Sequence, residues 1–459
     1  MHRTIVLNVV GLTQALLGDA TPHLQALAHQ GGVRALRTVL PAVTCSVQST
    51  FTTGLLPRDH GCVANGWYFR DLAEIWFWRQ SNHLVSGEKI WEAGARRDPN
   101  FTCAKLFWWY NMYSSAHYTV TPRPVYPADG RKLPDLYTQP SELRDELIRR
   151  FGQFPLFNFW GPTADLTSSR WIVECTKYID ATRRPTLTLV YLPHLDYNLQ
   201  RLGPDHRGLR KDLTSIDALC GELIEQALRQ GSRIVVVSEY GVTPVNGPIH
   251  INRALREAGF LRIRSELGLE KLDVGMSDAF AVADHQVAHV YVKNAGRLKE
   301  VRHVLDSVPG VETILDDGGK RAWGLDHARS GDLVAIAAPD RWFTYYYWLD
   351  DRLAPDFART VDIHRKPGYD PVELFLDPAL RWPTLKVGWT LLKKSLGFRY
   401  LVDVIPLDAN LVKGSHGRVG DNPEHAPLVI SSEPSLLPDR DLHATDVKEL
   451  VLNHILGRS

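Results

Sequence analysis

The stretch PAVTCSVQSTFTTGLLPRDHGCVANG, residues 41–66, is the part of the chain around which the fold prediction is built. A proline-bounded loop leads to Thr44, and CSVQSTFTTG then continues to Gly54. We predict a helix with Thr44 at its N-cap, since threonine is favoured there, and most such threonines are caps and nothing more. A hydroxyl at this position meets unpaired backbone N–H groups and the positive end of the helix dipole. The position therefore suits an anion, or an alkoxide that attacks one.

Apolar runs alternate with amphipathic segments through much of the chain. The predicted strands cover residues 4–10, 33–40, 101–108, 186–192, 233–237 and 428–431. The predicted helices start at Thr21–Pro22 and Thr44 and cover residues 141–151, 168–182 and 209–230. Continuous apolar runs are typical of buried parallel strands. The alternation predicts an α/β fold with a mostly parallel central sheet between helices.

The predicted domain organisation is a core with one insertion. Residues 1–245 and 405–459 are assigned to the core, and residues 246–404, with many short strands, to an inserted, smaller α+β cap. Residues 123–140 are rich in Pro, Gly and Asp, so we expect an ordered loop there.

Charge and cysteine content limit the binding partners and the cellular compartment that the sequence predicts. The formal net charge is +1, from 53 basic and 52 acidic residues, and no charge run suggests a nucleic-acid polymer or a membrane surface. Five scattered cysteines, without a CxxC pair, favour free thiols in a reducing compartment. The N-terminus lacks signal-peptide features, and no apolar run is long enough for a membrane span. We expect a soluble, cytoplasmic protein; the sequence gives no indication of its oligomeric state.

Polar residues follow the apolar runs at the positions where the strands should end. Asn8, Thr44, Asp196, Glu239 and His416 belong to this set. In open α/β sheets, ligands bind at the carboxyl ends of the strands. Several acids converging there beside a helix N-terminus predict a metal-assisted site for a phosphorylated ligand.

The chain resembles the alkaline phosphatase superfamily, in particular its nucleotide pyrophosphatase/phosphodiesterase (type I phosphodiesterase) branch. The resemblance is carried by LNVVGL at Leu7, the stretch at residues 41–66, YLPHLDYNLQRLGP at Tyr191, VVVSEYGV at Val235 and GSHGRVGDNPEHAPLVI at Gly414. It implies a parallel sheet between helices, two metal ions that are usually zinc, and a Thr or Ser that attacks phosphorus and becomes transiently modified.

The resemblance also implies roles for individual residues. Thr44 falls on the nucleophile, and Asn65 on the residue that contacts a phosphoryl oxygen. The implied ligands of one metal are Asp196, Gln200 and His416, and those of the other are Asn8, Thr44, Glu239 and Tyr240. Four positions depart from the family pattern: Asn8 and Glu239 stand where it has Asp, and Gln200 and Tyr240 stand where it has His.

These departures leave two functions open. Zinc is the metal expected by family, but the oxygen-rich ligand set also suits Mg²⁺, Mn²⁺ or Ca²⁺. The first function is a metal-dependent hydrolase of small phosphodiester, pyrophosphate or phosphonate-type substrates with a phospho-threonine intermediate. The alternative is a non-hydrolytic member that binds a phosphorylated metabolite. His194, His364 and Asp370 are candidate replacement ligands, although polar loop residues more often form turns.

Overall fold

The computed structural model describes residues 1–128, 131–380, 403–420 and 422–457. The described strands are β1 (Thr4–Val9), β2 (Gly32–Arg37), β3 (Gly66–Phe69), β4 (Glu74–Phe77), β5 (Cys103–Leu106), β6 (Tyr118–Pro122), β7 (Leu136–Gln139), β8 (Leu187–Leu192), β9 (Arg233–Val237), β10 (Thr243–Pro244), β11 (Gly247–Ile249), β12 (Ile263–Glu266), β13 (Leu269–Leu272), β14 (Ala279–Asp284), β15 (Val287–Val292), β16 (Val311–Leu315), β17 (Leu333–Ala337), β18 (Arg341–Phe343), β19 (Gly414–Ser415), β20 (Leu428–Ser431) and β21 (Leu442–His443).

The described helices are α1 (Pro22–Gln30), α2 (Thr44–Thr53), α3 (Pro57–His60), α4 (Ile90–Arg97), α5 (Glu142–Phe151), α6 (Leu166–Arg183), α7 (His194–Leu202), α8 (Leu209–Arg229), α9 (Ile251–Glu257), α10 (Leu298–Asp306), α11 (Asp317–Ala322) and α12 (Val447–Leu456). Most of the predicted elements are confirmed to within a few residues at each end.

The central sheet has nine described strands in the order β21-β2-β20-β9-β1-β8-β5-β6-β7. Strand β1 lies parallel to both β8 and β9, and β5 and β6 continue the parallel series. Every residue of β1 and of β8 is buried, as expected for strands covered on both faces. The predicted α/β fold with a mostly parallel sheet is confirmed.

The structure corrects two details of the prediction and shows the direction of one strand that the sequence left open. Val43, and not Thr44, is the N-cap of α2, because the Val43 carbonyl already accepts the N–H of Val47. Strand β2 pairs antiparallel with β20, away from the parallel centre. The loop predicted at residues 123–140 contains β7, which extends the sheet antiparallel to β6. Proline and glycine are typical of loops, so the sequence pattern did not predict this short edge strand.

A second sheet lies within the predicted insertion. Its order is β14-β15-β17-β16, and every described pairing in it is antiparallel. A separate apolar cluster surrounds it, including Trp342, Phe343, Tyr345 and Trp348. Residues 381–402 of the predicted insertion lie outside the described residues, and the domain limits stay a prediction. Among the described helices, none combines the length and apolarity required to cross a bilayer.

Lys105 is a buried amine on the central sheet. It lies on β5, its Nζ donates to the carbonyl oxygen of Tyr110 at 2.8 Å, and it is 4.9 Å from the ring centre of Trp91. Burial lowers the pKa of this amine from 10.5 to about 7. The folded protein therefore releases a proton at Lys105 at a pH where the unfolded chain still holds it.

We expect this group to make the free energy of unfolding rise with pH between about 7 and 10.5. The slope should reach ~1.4 kcal/mol per pH unit, because the unfolded chain binds one more proton. Lys105→Met removes the titrating group, so its stability relative to wild type should decline as the pH rises. Urea unfolding of both proteins at several pH values measures this. Lys299→Met, at an exposed position, is the control, and an Lys105→Met difference that does not change with pH contradicts the expectation.

Candidate active site

Thr44 is the first residue of α2 and is almost fully buried. Its Oγ1 lies 3.4 Å from the hydroxyl of Tyr240, which lies 3.4 Å from Oδ1 of Asp196. The next backbone N–H, that of Cys45, donates to Oδ1 of Asn65 at 2.9 Å. The N-terminus of α2 therefore presents a hydroxyl beside a fixed amide, the arrangement expected for an anion-binding nucleophile.

Asp284 orients Asn65. Its carboxyl accepts the Asn65 backbone N–H at 2.7 Å and the side-chain Nδ2 at 3.1 Å, and Nδ1 of His285 lies 2.7 Å away. Burial raises the pKa of Asp284 to about 6, and the Asn65 hydrogen bonds and His416 oppose that rise. With Cys45 on its oxygen and Asp284 on its nitrogen, the Asn65 amide has one fixed orientation.

Asp196 lies in the first turn of α7, directly after β8, and Gln200 follows one turn later on the same helix face. Nε2 of Gln200 donates to Oδ2 of Asp196 at 2.7 Å, and Oε1 of Gln200 accepts the hydroxyl of Tyr369 at 3.1 Å. Burial raises the pKa of Asp196 to about 7, while the Gln200 and Tyr240 hydrogen bonds lower it. These hydrogen bonds link Tyr369, Gln200, Asp196, Tyr240 and Thr44 in one chain.

Glu239 follows β9 and is held by two amides. Nδ2 of Asn8 lies 2.5 Å and Nε2 of Gln48 lies 2.6 Å from its Oε1. Its other oxygen, Oε2, has no hydrogen-bond partner among the described residues. Burial raises the pKa of Glu239 to about 8, and Gln48, Asn8 and the nearby Thr44 hydroxyl oppose the rise. The carboxyl is thus close to the predicted nucleophile.

Four rings form a continuous stack beside Thr44. The Tyr240 and His416 rings are 3.5 Å apart and nearly parallel, His285 lies 3.7 Å from His416, and Tyr369 lies 3.6 Å from His285. Nδ1 of His416 lies 2.8 Å from the Ala42 carbonyl oxygen, which leaves its buried Nε2 without a partner in the described part of the chain. The stack fixes both the Tyr240 hydroxyl and the His416 imidazole.

At two glycines of the site, the backbone lies against the backbone of another segment so closely that no side chain would fit. A Cβ at Gly241 would lie 1.8 Å from the carbonyl oxygen of His425, and one at Gly414 would lie 2.1 Å from that of Leu199. Either contact is too short for any side chain. Gly241 thereby places Tyr240, and Gly414 places His416.

The structure brings together the predicted site residues. Thr44 contacts Tyr240, Tyr240 contacts Asp196 and His416, and Glu239 contacts Asn8. Their predicted roles as nucleophile and metal ligands stay predictions. The replacement ligands lie elsewhere: His194 pairs with Asp212 at 3.1 Å, Asp370 with Lys366 at 2.7 Å, and Nδ1 of His364 is 3.4 Å from the Phe77 carbonyl oxygen.

Five site residues were not predicted from sequence: Gln48, Tyr191, Asp284, His285 and Tyr369. The signal that could have identified Gln48 is its position one helical turn after Thr44, on the same face of α2. Tyr191 faces Thr44 from β8, where it is paired with Asn8. The other three come from the inserted region, and their sequence neighbours give no indication of the site.

The donor chemistry does not fit two zinc ions. Of the seven predicted ligands, two are carboxylates and one is an imidazole, whereas zinc centres use carboxylates, imidazoles and thiolates. The amide nitrogens of Asn8 and Gln200 face the carboxyls, so their N–H groups occupy Oε1 of Glu239 and Oδ2 of Asp196. Among the described residues, Oε2 of Glu239, Oδ1 of Asn8 and Nε2 of His416 have no hydrogen-bond partner. Across the described residues, no group of three His, Cys, Asp or Glu side chains is arranged to hold a metal.

Comparison with known sequences and structures agrees with this fold. Residues 4–370 match the sequence model of the type I phosphodiesterase/nucleotide pyrophosphatase family. An uncharacterised pyrophosphatase/phosphodiesterase of Schizosaccharomyces pombe is 26% identical over 238 residues, which are 49% of this chain and 41% of the relative. The match thus spans about two fifths of that relative's length.

Two solved structures have a similar fold. Phosphonoacetate hydrolase from Sinorhizobium meliloti 1021, in complex with phosphonoformate, has a TM-score of 0.61 at 14% identity and covers 100% of this chain and 96% of its own. An inactive murine ectonucleotide pyrophosphatase/phosphodiesterase 5, in complex with AMP, has a TM-score of 0.58 at 15% identity, with the same coverage of the two chains. At these identities the likeness shows the fold alone.

We expect Asp284→Ala to destabilise the protein by ~3 kcal/mol, because it leaves the buried N–H groups of Asn65 unpaired. Urea unfolding measures the loss. Asp278→Ala is the matched control, since Asp278 pairs with Arg297 at 2.6 Å near the surface and an exposed ion pair contributes only ~0–1 kcal/mol. Equal losses in the two variants would show that Asp284 does not hold Asn65.

Proposed function

Because this chain belongs to the type I phosphodiesterase/nucleotide pyrophosphatase family, we propose that it cleaves a phosphodiester, pyrophosphate or phosphonate-type bond with Thr44 as the nucleophile. Family members are phosphodiesterase and pyrophosphatase hydrolases. The observation that carries the proposal is the environment of Thr44 at the N-terminus of α2. Its hydroxyl lies among Tyr240, Glu239 and the Asn65–Cys45 pair, where an oxygen attacking phosphorus has both a base and donors within reach.

Residues of this chain supply the nucleophile, the base and the hydrogen-bond donors of the proposed reaction. Ionised Glu239 takes the hydroxyl proton as Oγ1 of Thr44 bonds to phosphorus, and the bond to the leaving oxygen breaks. Asn65 donates the Nδ2 proton that Asp284 does not accept to a phosphoryl oxygen, and Tyr240 turns its hydroxyl proton from Asp196 to another phosphoryl oxygen. The leaving oxygen takes a proton from water. A second water then attacks phospho-Thr44 and gives one proton to the hydroxide left by the first. Glu239 returns its proton to Oγ1 of Thr44 as the Oγ1–P bond breaks, which releases the phosphorylated product and regenerates the hydroxyl.

The side chains of this site are poorly suited to the metal ions on which the family's chemistry depends. The family is metal-dependent, and bound metal ions would supply charge neutralisation at phosphorus. The seven predicted ligands do not fit two zinc ions, and the proposed reaction therefore uses side chains alone. The proposed partner is a small phosphorylated substrate, and the free, buried state of all five cysteines supports a reducing, cytoplasmic location.

A second candidate function is ligand binding without turnover. It is favoured by the replacement of metal-binding imidazoles by Gln200 and Tyr240, which removes the usual means of activating a threonine hydroxyl. Calorimetric binding of a phosphorylated ligand without any cleavage product on prolonged incubation would favour this candidate over the hydrolase.

We expect Thr44→Ala to abolish cleavage of bis(para-nitrophenyl) phosphate, because no other hydroxyl takes its position at the start of α2. Thr44→Ser should retain part of the rate, since it keeps the nucleophilic oxygen. Release of para-nitrophenolate measures both. Thr53→Ala, at the other end of the same helix, is the control for structural damage. Wild-type turnover in Thr44→Ala would exclude Thr44 as the nucleophile.

We expect the cleavage rate to rise with pH up to about 8 and then level off. Glu239 accepts a proton only when ionised, and its raised pKa keeps it protonated at lower pH. Below that pKa the rate should fall about tenfold per pH unit. Glu239→Gln should be slow at every pH and should lack this rise. The same rise in Glu239→Gln would show that another group is the base.

A further inference from the structure

We infer that this chain holds its phosphoryl ligand with fixed hydrogen-bond donors where its relatives use metal ions, and that the phenol of Tyr240 takes the place of a metal. The ligand class in this inference rests on the proposed function, whereas the absence of a zinc requirement rests on geometry alone. Three features of the site support it: the amides on the carboxylates, the position of the Tyr240 hydroxyl, and the charge around Thr44.

The side-chain oxygens of Gln48 and Gln200 cannot face a cation at the site, because each already accepts a hydrogen bond. Oε1 of Gln48 accepts the backbone N–H of Trp109 at 2.8 Å, so its Nε2 must face Glu239. Oε1 of Gln200 accepts the Tyr369 hydroxyl, so its Nε2 must face Asp196. One oxygen of each carboxyl therefore accepts an N–H group whose orientation is set by a second hydrogen bond, while Oε2 of Glu239 has no partner among the described residues. These amides stabilise the carboxyls as hydrogen-bond donors, in part the role that a metal ion fills in a metal-dependent site.

The Tyr240 hydroxyl occupies the space between the nucleophile and Asp196. It is 3.4 Å from Oγ1 of Thr44 and 3.4 Å from Oδ1 of Asp196, and its ring is held by the parallel stack on His416. Rotating the phenol away would break this stack, which continues through His285 and Tyr369. A cation bridging Thr44 and Asp196 would have to displace a packed side chain.

The charge around Thr44 favours a ligand of low negative charge. Among the described residues that hydrogen-bond Thr44, Asn65, Asp196 or Glu239, none is a lysine or an arginine. Neutral donors beside buried carboxyls stabilise a monoanion better than a dianion, because nothing compensates the second charge. The site therefore fits a phosphodiester or a phosphonate monoester better than a terminal phosphate.

Zinc content tests the inference without any activity measurement. We expect wild-type protein, produced without a metal-binding tag and dialysed against zinc, to hold well under one zinc per chain by atomic emission. The triple variant Asn8→Asp, Gln200→His, Tyr240→His should hold at least one, because it provides a carboxylate and two imidazoles. Asn100→Asp, Gln14→His, Tyr113→His, at exposed positions, is the matched control and should stay at the wild-type value.

A second measurement guards against a triple variant that fails to fold. Tyr240→Phe keeps the ring stack and removes only the hydroxyl. We expect it to bind dimethylphosphinate, a monoanion with two P–C bonds and no ester to cleave, at least tenfold more weakly than wild type by calorimetry, with zinc content unchanged. One or more tightly held zinc ions per wild-type chain, or ligand binding that EDTA abolishes and zinc restores, would overturn the inference.

The outcomes separate this inference from the proposed function. A zinc-free wild-type protein that binds the phosphinate but cleaves no diester supports the inference and rejects the hydrolase. A wild-type protein that requires zinc and loses its turnover in Thr44→Ala supports the hydrolase and rejects the inference.

Discussion

The carboxyl of Glu239 is buried beside Thr44, where two amides donate to it. A carboxylate removed from water without partners is strongly unfavourable, so the contacts from Asn8 and Gln48 stabilise the ionised form that the chemistry of Thr44 requires. Asn8 comes from the central strand β1 and Gln48 from α2, and the contact therefore fixes the helix on the sheet. The same contact sets the distance between Glu239 and the helix N-terminus, on which the chemistry of Thr44 depends.

The sequence was sufficient to predict the core of the fold, because parallel strands that are buried on both faces appear as continuous apolar runs. The run at residues 233–237 matches β9, and the convergence of Asn8, Asp196 and Glu239 on one edge follows from parallel pairing. Edge strands were harder to predict from the sequence. Strand β7 has only four residues within a loop rich in proline and glycine, and its pairing with β6 depends on tertiary contacts that no local pattern encodes.

The site itself was predictable only in part. Residues that follow strands were found by position, but His285 and Tyr369 come from the inserted region, where neither periodicity nor spacing points toward Thr44. The role of Thr44 as a cap was wrong, since its hydroxyl faces Tyr240 and Glu239 and the Val43 carbonyl begins the helix. Tyr240 was identified as a departure from the family, but its stack on His416 depends on a glycine contact visible only in three dimensions.

The locked amides also restrict how such a site can change through evolution. An aspartate at position 8 alone would set a second carboxylate against Glu239, and a histidine at position 200 alone would forfeit the hydrogen bond with Tyr369. Loss of the Tyr240 phenol alone would leave Thr44 and Asp196 without their shared partner. Each single substitution thus loses a hydrogen bond or adds a repulsion. A stepwise change from this sequence to a metal-binding ligand set therefore passes through less stable intermediates.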